Sequence, residues 1–159
     1  MICLGIDPGT ATTGYGVIEA VGTRRLHLLH GVIRTPYGLP QGERLMILHE
    51  KLCTLVERFT PSLIGMEKLF FSTNVKTAIS VAQAQGVVLF TAAAAGIPVI
   101  ELTPNQVKMS VTQNGNADKR QVQLMVRRLL QLADIPRPDD AADALAVALS
   151  ASQEPAWRR

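Results

Sequence analysis

Met1 to Ala20 reads MICLGIDPGTATTGYGVIEA, two apolar runs separated by Asp7-Pro8-Gly9 and a threonine-rich turn. Ile2 to Ile6 has the composition of a buried strand, and Pro8-Gly9 stops it just beyond Asp7. Gly14 to Ala20 resumes as a second strand, and Arg25 to Thr35 reads as a third. The connections are too short for crossovers, so these strands form antiparallel hairpins with turns around Pro8 to Thr13 and Val21 to Thr23.

The period then changes. Gln41 to Phe59 places Leu45, Leu48, Leu52, Leu55, Val56 and Phe59 on a helical stripe, preceded by Pro40 and ended by Thr60-Pro61. Leu63 to Met66 is a short run without polar interruption, as in a strand buried on both faces, and Glu67 follows it. Asn74 to Ala95 is a second helix, with Asn74 as N-cap and Gly96-Ile97-Pro98 as its stop. Pro98 to Leu102 is a further strand. Helices follow from Pro104, from Lys119 to Leu132, and from Asp139 or Asp140 to about Ser152, with Asn114-Gly115-Asn116 as a loop between the first two. Three hairpin strands followed by alternating strands and helices predict an α/β fold with a mixed sheet. At 159 residues the chain has room for one domain, read as 1–155, with a tail at 156–159.

This topology gives the acids a meeting place. Parallel neighbouring strands present their C-terminal ends on one sheet edge, where ligands of open α/β sheets bind. Asp7 and Glu67 occupy two such ends, brought together by a right-handed helical crossover. Asp140 and Asp143 are one helical turn apart and face one way. Asp139 competes with Asp140, and spacing alone leaves either as N-cap and the other as ligand. Two carboxylates about 4 Å apart repel by about 4 kcal/mol at an effective dielectric near 20, so four such acids need a cation. Oxygen donors select Mg²⁺ or Mn²⁺ over zinc. Two such ions would support in-line phosphodiester displacement.

Net charge is +3 and the pI about 9.1, a mild basic excess that suits a polyanion. Between Pro104 and Leu130 the bases Lys108, Lys119, Arg120, Arg127 and Arg128 face a single acid, Asp118. Cys3 and Cys53 have no metal-ligand spacing and no disulfide framework, consistent with a reducing compartment. His27, His30 and His49 have no ligand spacing either. No leader is visible at the N-terminus, and the longest apolar run, Val87 to Ile100, is broken by Gly96 and Pro98. It falls short of the roughly 20 residues that span a bilayer. The expectation is a soluble, cytoplasmic protein with no membrane partner.

GIDPGT from Gly5 to Thr10, TGYGVI from Thr13 to Ile18, MEKLFF from Met66 to Phe71, PNQVKMSVT from Pro104 to Thr112, ADKRQVQLMVRRLL from Ala117 to Leu130 and DAADALAVAL from Asp140 to Leu149 occur in that order. Together they resemble the RuvC family of Holliday junction resolvases, within the RNase H-like nucleases, over nearly the whole chain. The resemblance implies an RNase H-like five-stranded sheet. It also implies that Asp7, Glu67, Asp140 and Asp143 are catalytic acids binding Mg²⁺, two ions per subunit, with Mn²⁺ as a substitute. Its Asp-Ala-Ala-Asp motif favours Asp140 over Asp139. The implied protein is a homodimer that nicks two strands of a four-way DNA junction symmetrically, leaving 5′-phosphate and 3′-hydroxyl ends, and works with a branch-migration motor.

By the same resemblance Lys108 and Lys119 act near the scissile strand, where cations pair with phosphate and stabilise developing charge. Apart from the resemblance, Arg120, Arg127 and Arg128 are candidate phosphate contacts that helix periodicity cannot place all on one face, and Arg120 is the one taken as DNA-binding. The resemblance places a base-stacking role on Phe70, and Phe71 is either core or DNA-facing. Ala78, Ala82, Ala84 and Gly86 would let the second helix pack closely against another subunit or lie flat on its own sheet. Competing readings are an actin-like ATPase or sugar kinase, suggested by the Asp-x-Gly-Thr turn but requiring two domains, and a catalytically silent RNase H-like binding module.

Overall fold

The computed structural model describes residues 1–9, 11–68 and 75–154. Phe70, Phe71, the Asn74 cap, Thr10 and the tail, Trp157 included, lie outside the described residues.

The elements are β1 (Ile2–Asp7), β2 (Thr12–Val21), β3 (Arg24–Arg34), α1 (Gln41–Phe59), β4 (Leu63–Glu67), α2 (Val75–Ala94), β5 (Val99–Leu102), α3 (Pro104–Thr112), α4 (Lys119–Leu129) and α5 (Asp139–Ala151). They build one five-stranded sheet in the order β3-β2-β1-β4-β5. β1, β2 and β3 pair antiparallel, while β4 pairs parallel to both β1 and β5. This is the mixed sheet expected of the sequence. Among the described residues no helix is long and apolar enough to cross a membrane.

Period-two alternation divides the two faces of the sheet. Leu4, Ile6, Val17, Ile64 and Met66 join Leu48, Leu52 and Leu55 of α1 and Val88 of α2 in one core layer. Cys3, Ile18 and Leu63 join α3, α4 and α5 in the other, around Leu145 and Leu149. Burying each of these leucines contributes about 1.5 to 3 kcal/mol. Cys3 shares its face with Gly5 and Asp7, and Leu63 with Gly65 and Glu67, so both strand-end acids are on the α5 face.

Helix α5 sits against the sheet at backbone distance. A Cβ at Gly5 would collide with the Ala144 carbonyl oxygen and the Ala148 nitrogen, and one at Gly14 with the Asp140 carbonyl oxygen. Ala141, Ala144 and Ala148 supply the matching small side of the contact and are fully buried. Gly14 is the partner of Asp7 in the β1–β2 register, so one close contact brings the N-terminus of α5 to the Asp7 end of β1.

Helix ends account for the departures from expectation. α4 stops at Leu129 and not Leu132, because Gln131 takes a left-handed φ of 53° and the Leu132 N–H returns to the Arg127 carbonyl at 2.9 Å. α5 is preceded by Pro138 as N-cap with no side-chain cap bond, so neither Asp139 nor Asp140 is the cap. α3 and α4 begin instead with capping boxes, Thr103 with Gln106 and Asp118 with Gln121. α2 ends near its expected stop, where Gly96 has φ 67° and the Ile97 N–H bonds the Ala92 carbonyl.

Candidate active site

Asp7 closes β1, and Glu67 closes β4 one residue beyond the Ile6–Met66 pair. α5 delivers Asp140 and Asp143 from its first turns over the same edge. Carboxylate oxygens of Asp7, Asp140 and Asp143 lie within 4.8 Å of one another. Glu67 stands outside this tight set and lines the adjoining cleft with Asp143, Lys108 and Lys119. That cleft has a volume of about 200 Å³ and is floored by Pro104, Val107, Val122 and Ala146.

Asp139 turns elsewhere. Its carboxylate accepts from Gln123 Nε2 at 3.1 Å and pairs with Arg137 at 3.3 Å and Lys119 at 3.5 Å. These contacts separate the two adjacent aspartates that spacing left equivalent. Lys119, the first residue of α4, places Nζ 2.9 Å from Asp143 and so bridges the acidic set to Asp139. Lys108 reaches the cleft from α3. Arg120 is exposed and is not among the residues lining the cleft. Arg127 and Arg128 are also exposed, at the far end of α4.

The electrostatics are those of acids short of positive charge. Burial lifts the Asp7 carboxyl from its ordinary 3.8 to about 7, the charges of Glu67, Asp143 and Asp140 push the same way, and Lys119 opposes them. Glu67 is raised by burial and by Asp143, against Lys108 and Lys119. Asp143 is raised by burial, although the Lys119 hydrogen bond and charge pull it down. Burial lowers Lys119, but its bonds to Asp143 and Asp139 outweigh this and leave it raised. Lys119 and Lys108 therefore offset only part of the repulsion, and the all-oxygen donor set fits a hard divalent cation.

A carboxyl raised in the folded state contributes stability that is full below about pH 4 and is lost as pH climbs through about 7. The displacement of Asp7 corresponds to about 4 kcal/mol at full burial. Partial solvent access reduces this to about 1 to 3 kcal/mol. In EDTA, Asp7→Asn should match the wild type near pH 4 and exceed its unfolding free energy by about 1 to 3 kcal/mol at pH 8. Mg²⁺ should reverse that order. Comparing the two proteins cancels His27 and His30, whose rings bond at 2.7 Å and whose burial lowers both pKa values. Urea unfolding at several pH values checks this, and a flat difference contradicts it.

Several positioning groups escaped sequence reasoning. Gln123 and Arg137 hold Asp139, and Gln85 of α2 donates to the Glu67 carbonyl at 2.8 Å. None carries a recognisable motif. The glycines against α5 did leave a signal, since Gly5, Gly14, Gly16 and Gly65 fall inside strands, where glycine marks close backbone approach.

The family model described as "Crossover junction endodeoxyribonuclease RuvC" matches residues 3–151. A crossover junction endodeoxyribonuclease RuvC of Rubrobacter xylanophilus is 53% identical over 148 residues, 93% of this chain and 83% of that protein. The structure of Thermus thermophilus RuvC superposes with a TM-score of 0.87 at 38% identity, covering 94% of this chain and 92% of that one. The same protein in complex with Holliday junction substrate gives a TM-score of 0.90, again at 38% identity and with the same coverage. By sequence over nearly its whole length and by fold, the chain belongs to the RuvC family of crossover junction endodeoxyribonucleases.

Proposed function

We propose that this protein resolves four-way DNA junctions by metal-dependent hydrolysis of a phosphodiester in two strands of like polarity, leaving 5′-phosphate and 3′-hydroxyl ends. The observation that carries the reading is the convergence of Asp7, Asp140 and Asp143 within 4.8 Å, beside a cleft holding Glu67 and two lysines. These four acids are the proposed holders of two Mg²⁺ ions, with Mn²⁺ as substitute. Bound there, the ions supply activation of a water and stabilisation of the leaving 3′ oxygen.

The chain's own residues would do the rest. Lys108 and Lys119 offer charge to the scissile phosphate, and Lys119 also holds Asp143 in place at 2.9 Å. Arg120 would meet the flanking DNA backbone outside the cleft. Phe70, three residues past Glu67, would stack on a displaced base. Cys3 and Cys53, both free thiols, suit action in the cytoplasm.

Paired nicking requires two copies, and α2 offers the surface. Ala84 and Val88 face its own sheet, while Ile79, Leu89 and Phe90 are exposed, Phe90 by 65%. Ala82 and Gly86 lie between them on the outward side, and a Cβ at Gly86 would meet nothing within the protomer. This favours the second-subunit alternative for Ala82 and Gly86, while Ala84 lies on its own sheet. Replacing Ile79 and Phe90 together by Glu should shift the protein to monomer by at least about tenfold in dissociation constant, read by sedimentation. An unchanged dimer would remove α2 from the interface.

The deciding assay incubates labelled four-way junction and linear duplex of the same sequence with the protein and Mg²⁺. Paired symmetric nicks on the junction alone support a resolvase. Degradation of both substrates would replace it with a general nuclease, and retention without cutting with a binding module.

A further inference from the structure

On the sheet face opposite α5, a groove of about 340 Å³ separates α1 from the edge strand β3. Its floor is apolar, made by Tyr15, Leu29, Ile33 and Leu55. Its rim carries Arg34, Lys51 and Arg58, and no acid lines it. Lys51, Thr54 and Arg58 recur at helical spacing along α1, so one face of the helix directs both cations over the floor. None of the three basic residues forms an ion pair among the described residues; Arg58 only lies over the Phe59 ring at 4.9 Å. The opposite flank of α1 is already engaged with α2 through His49 and Thr91 at 2.8 Å, which separates this groove from the exposed stripe of α2.

A second feature adjoins it. β3 ends the sheet, and among the described residues no strand pairs with its outer edge. The edge leaves a row of backbone donors and acceptors beside an apolar pocket ringed by positive charge. Duplex DNA would use the cations but has no apolar side chain for the floor and no amides for the edge. An extended peptide uses all three, its backbone on β3, one side chain in the pocket and carboxylates on the rim. The volume is near the lower limit of about 300 Å³ for ligand pockets, which suits one anchoring side chain.

We infer that the α1–β3 groove docks an extended acidic segment of a partner protein, anchored by an aromatic or large aliphatic side chain. The test titrates isotope-labelled full-length protein with the peptide Asp-Glu-Phe-Asp-Glu, blocked at both ends, up to about 1 mM, and follows amide shifts. Saturable shifts confined to Leu29 to Arg34 and Lys51 to Arg58 are expected. Replacing the peptide Phe by Ala should weaken binding by at least about fivefold. Lys51→Glu with Arg58→Glu should abolish it. These exposed positions lie outside the catalytic cleft, so that variant should keep junction cleavage within about twofold, which also shows that it folds. The milder pair Lys51→Gln with Arg58→Gln should give intermediate binding. Absence of shifts, shifts elsewhere, or binding that survives charge reversal would overturn the inference. Equal displacement by a single-stranded oligonucleotide would overturn it too and assign the groove to nucleic acid.

Discussion

Asp7→Asn is expected to lower junction cleavage in Mg²⁺ by at least about a thousandfold, about 4 kcal/mol of transition-state stabilisation, while junction affinity stays within a few-fold. The substitution keeps volume and removes one of three carboxylates whose oxygens lie within 4.8 Å. The Asp7 carboxyl is raised to about 7, by burial first and then by the charges of Glu67, Asp143 and Asp140. Bound cations would offset the mutual repulsion of these charges, so losing the charge of Asp7 would weaken the proposed hold on them. Binding of the junction depends instead on phosphate contacts from basic side chains, which the variant retains. Single-turnover cleavage and gel-shift titration on one preparation separate the two effects. Undiminished cutting would remove Asp7 from the chemistry, and loss of binding together with cutting would point to misfolding.

Gly14→Ala tests how the fold presents the site. A Cβ there meets the Asp140 carbonyl oxygen, a backbone atom with no rotamer to yield, so α5 must retreat from β2. Such overpacking costs about 1 to 3 kcal/mol of stability. A displacement approaching 1 Å would move Asp140 and Asp143 together away from Asp7, for a loss of about a hundredfold in cleavage well below the melting temperature. Gly42→Ala in α1 is the control, since a Cβ there meets nothing. It should leave cleavage unchanged and stability equal or higher by about 0.5 to 1 kcal/mol. Equal behaviour of the two alanine variants would show that the close contact of α5 does not position the acids.

Much of this site can be read from the chain because its logic is periodic. Strand alternation carries Asp7 and Glu67 to the face that receives Cys3 and Leu63, and the three-residue spacing of Asp140 and Asp143 keeps them together. Parallel pairing of β1 with β4 does the rest. What stayed hidden depends on contacts between segments. The choice between Asp139 and Asp140 is made by Gln123, Arg137 and Lys119, residues that no local rule ties to either aspartate. The helix ends differed for a similar reason. Pro138 occupies the cap position that a side-chain oxygen would ordinarily fill, and Gln131 adopts a left-handed conformation without being glycine or asparagine. The outward face of α2 was legible only in part, because small residues alone do not tell a sheet-facing side from a free one.

We propose that acids from β1, β4 and α5 form one pocket that captures divalent ions. Crystals soaked in Mn²⁺ and measured at the manganese absorption edge test it most directly. Anomalous density is expected within coordination distance of Asp7, Asp140 and Asp143, extending toward Glu67, and should be lost in Asp7→Asn. Manganese bound elsewhere, or no ordered manganese among these carboxylates at saturating concentration, would contradict it.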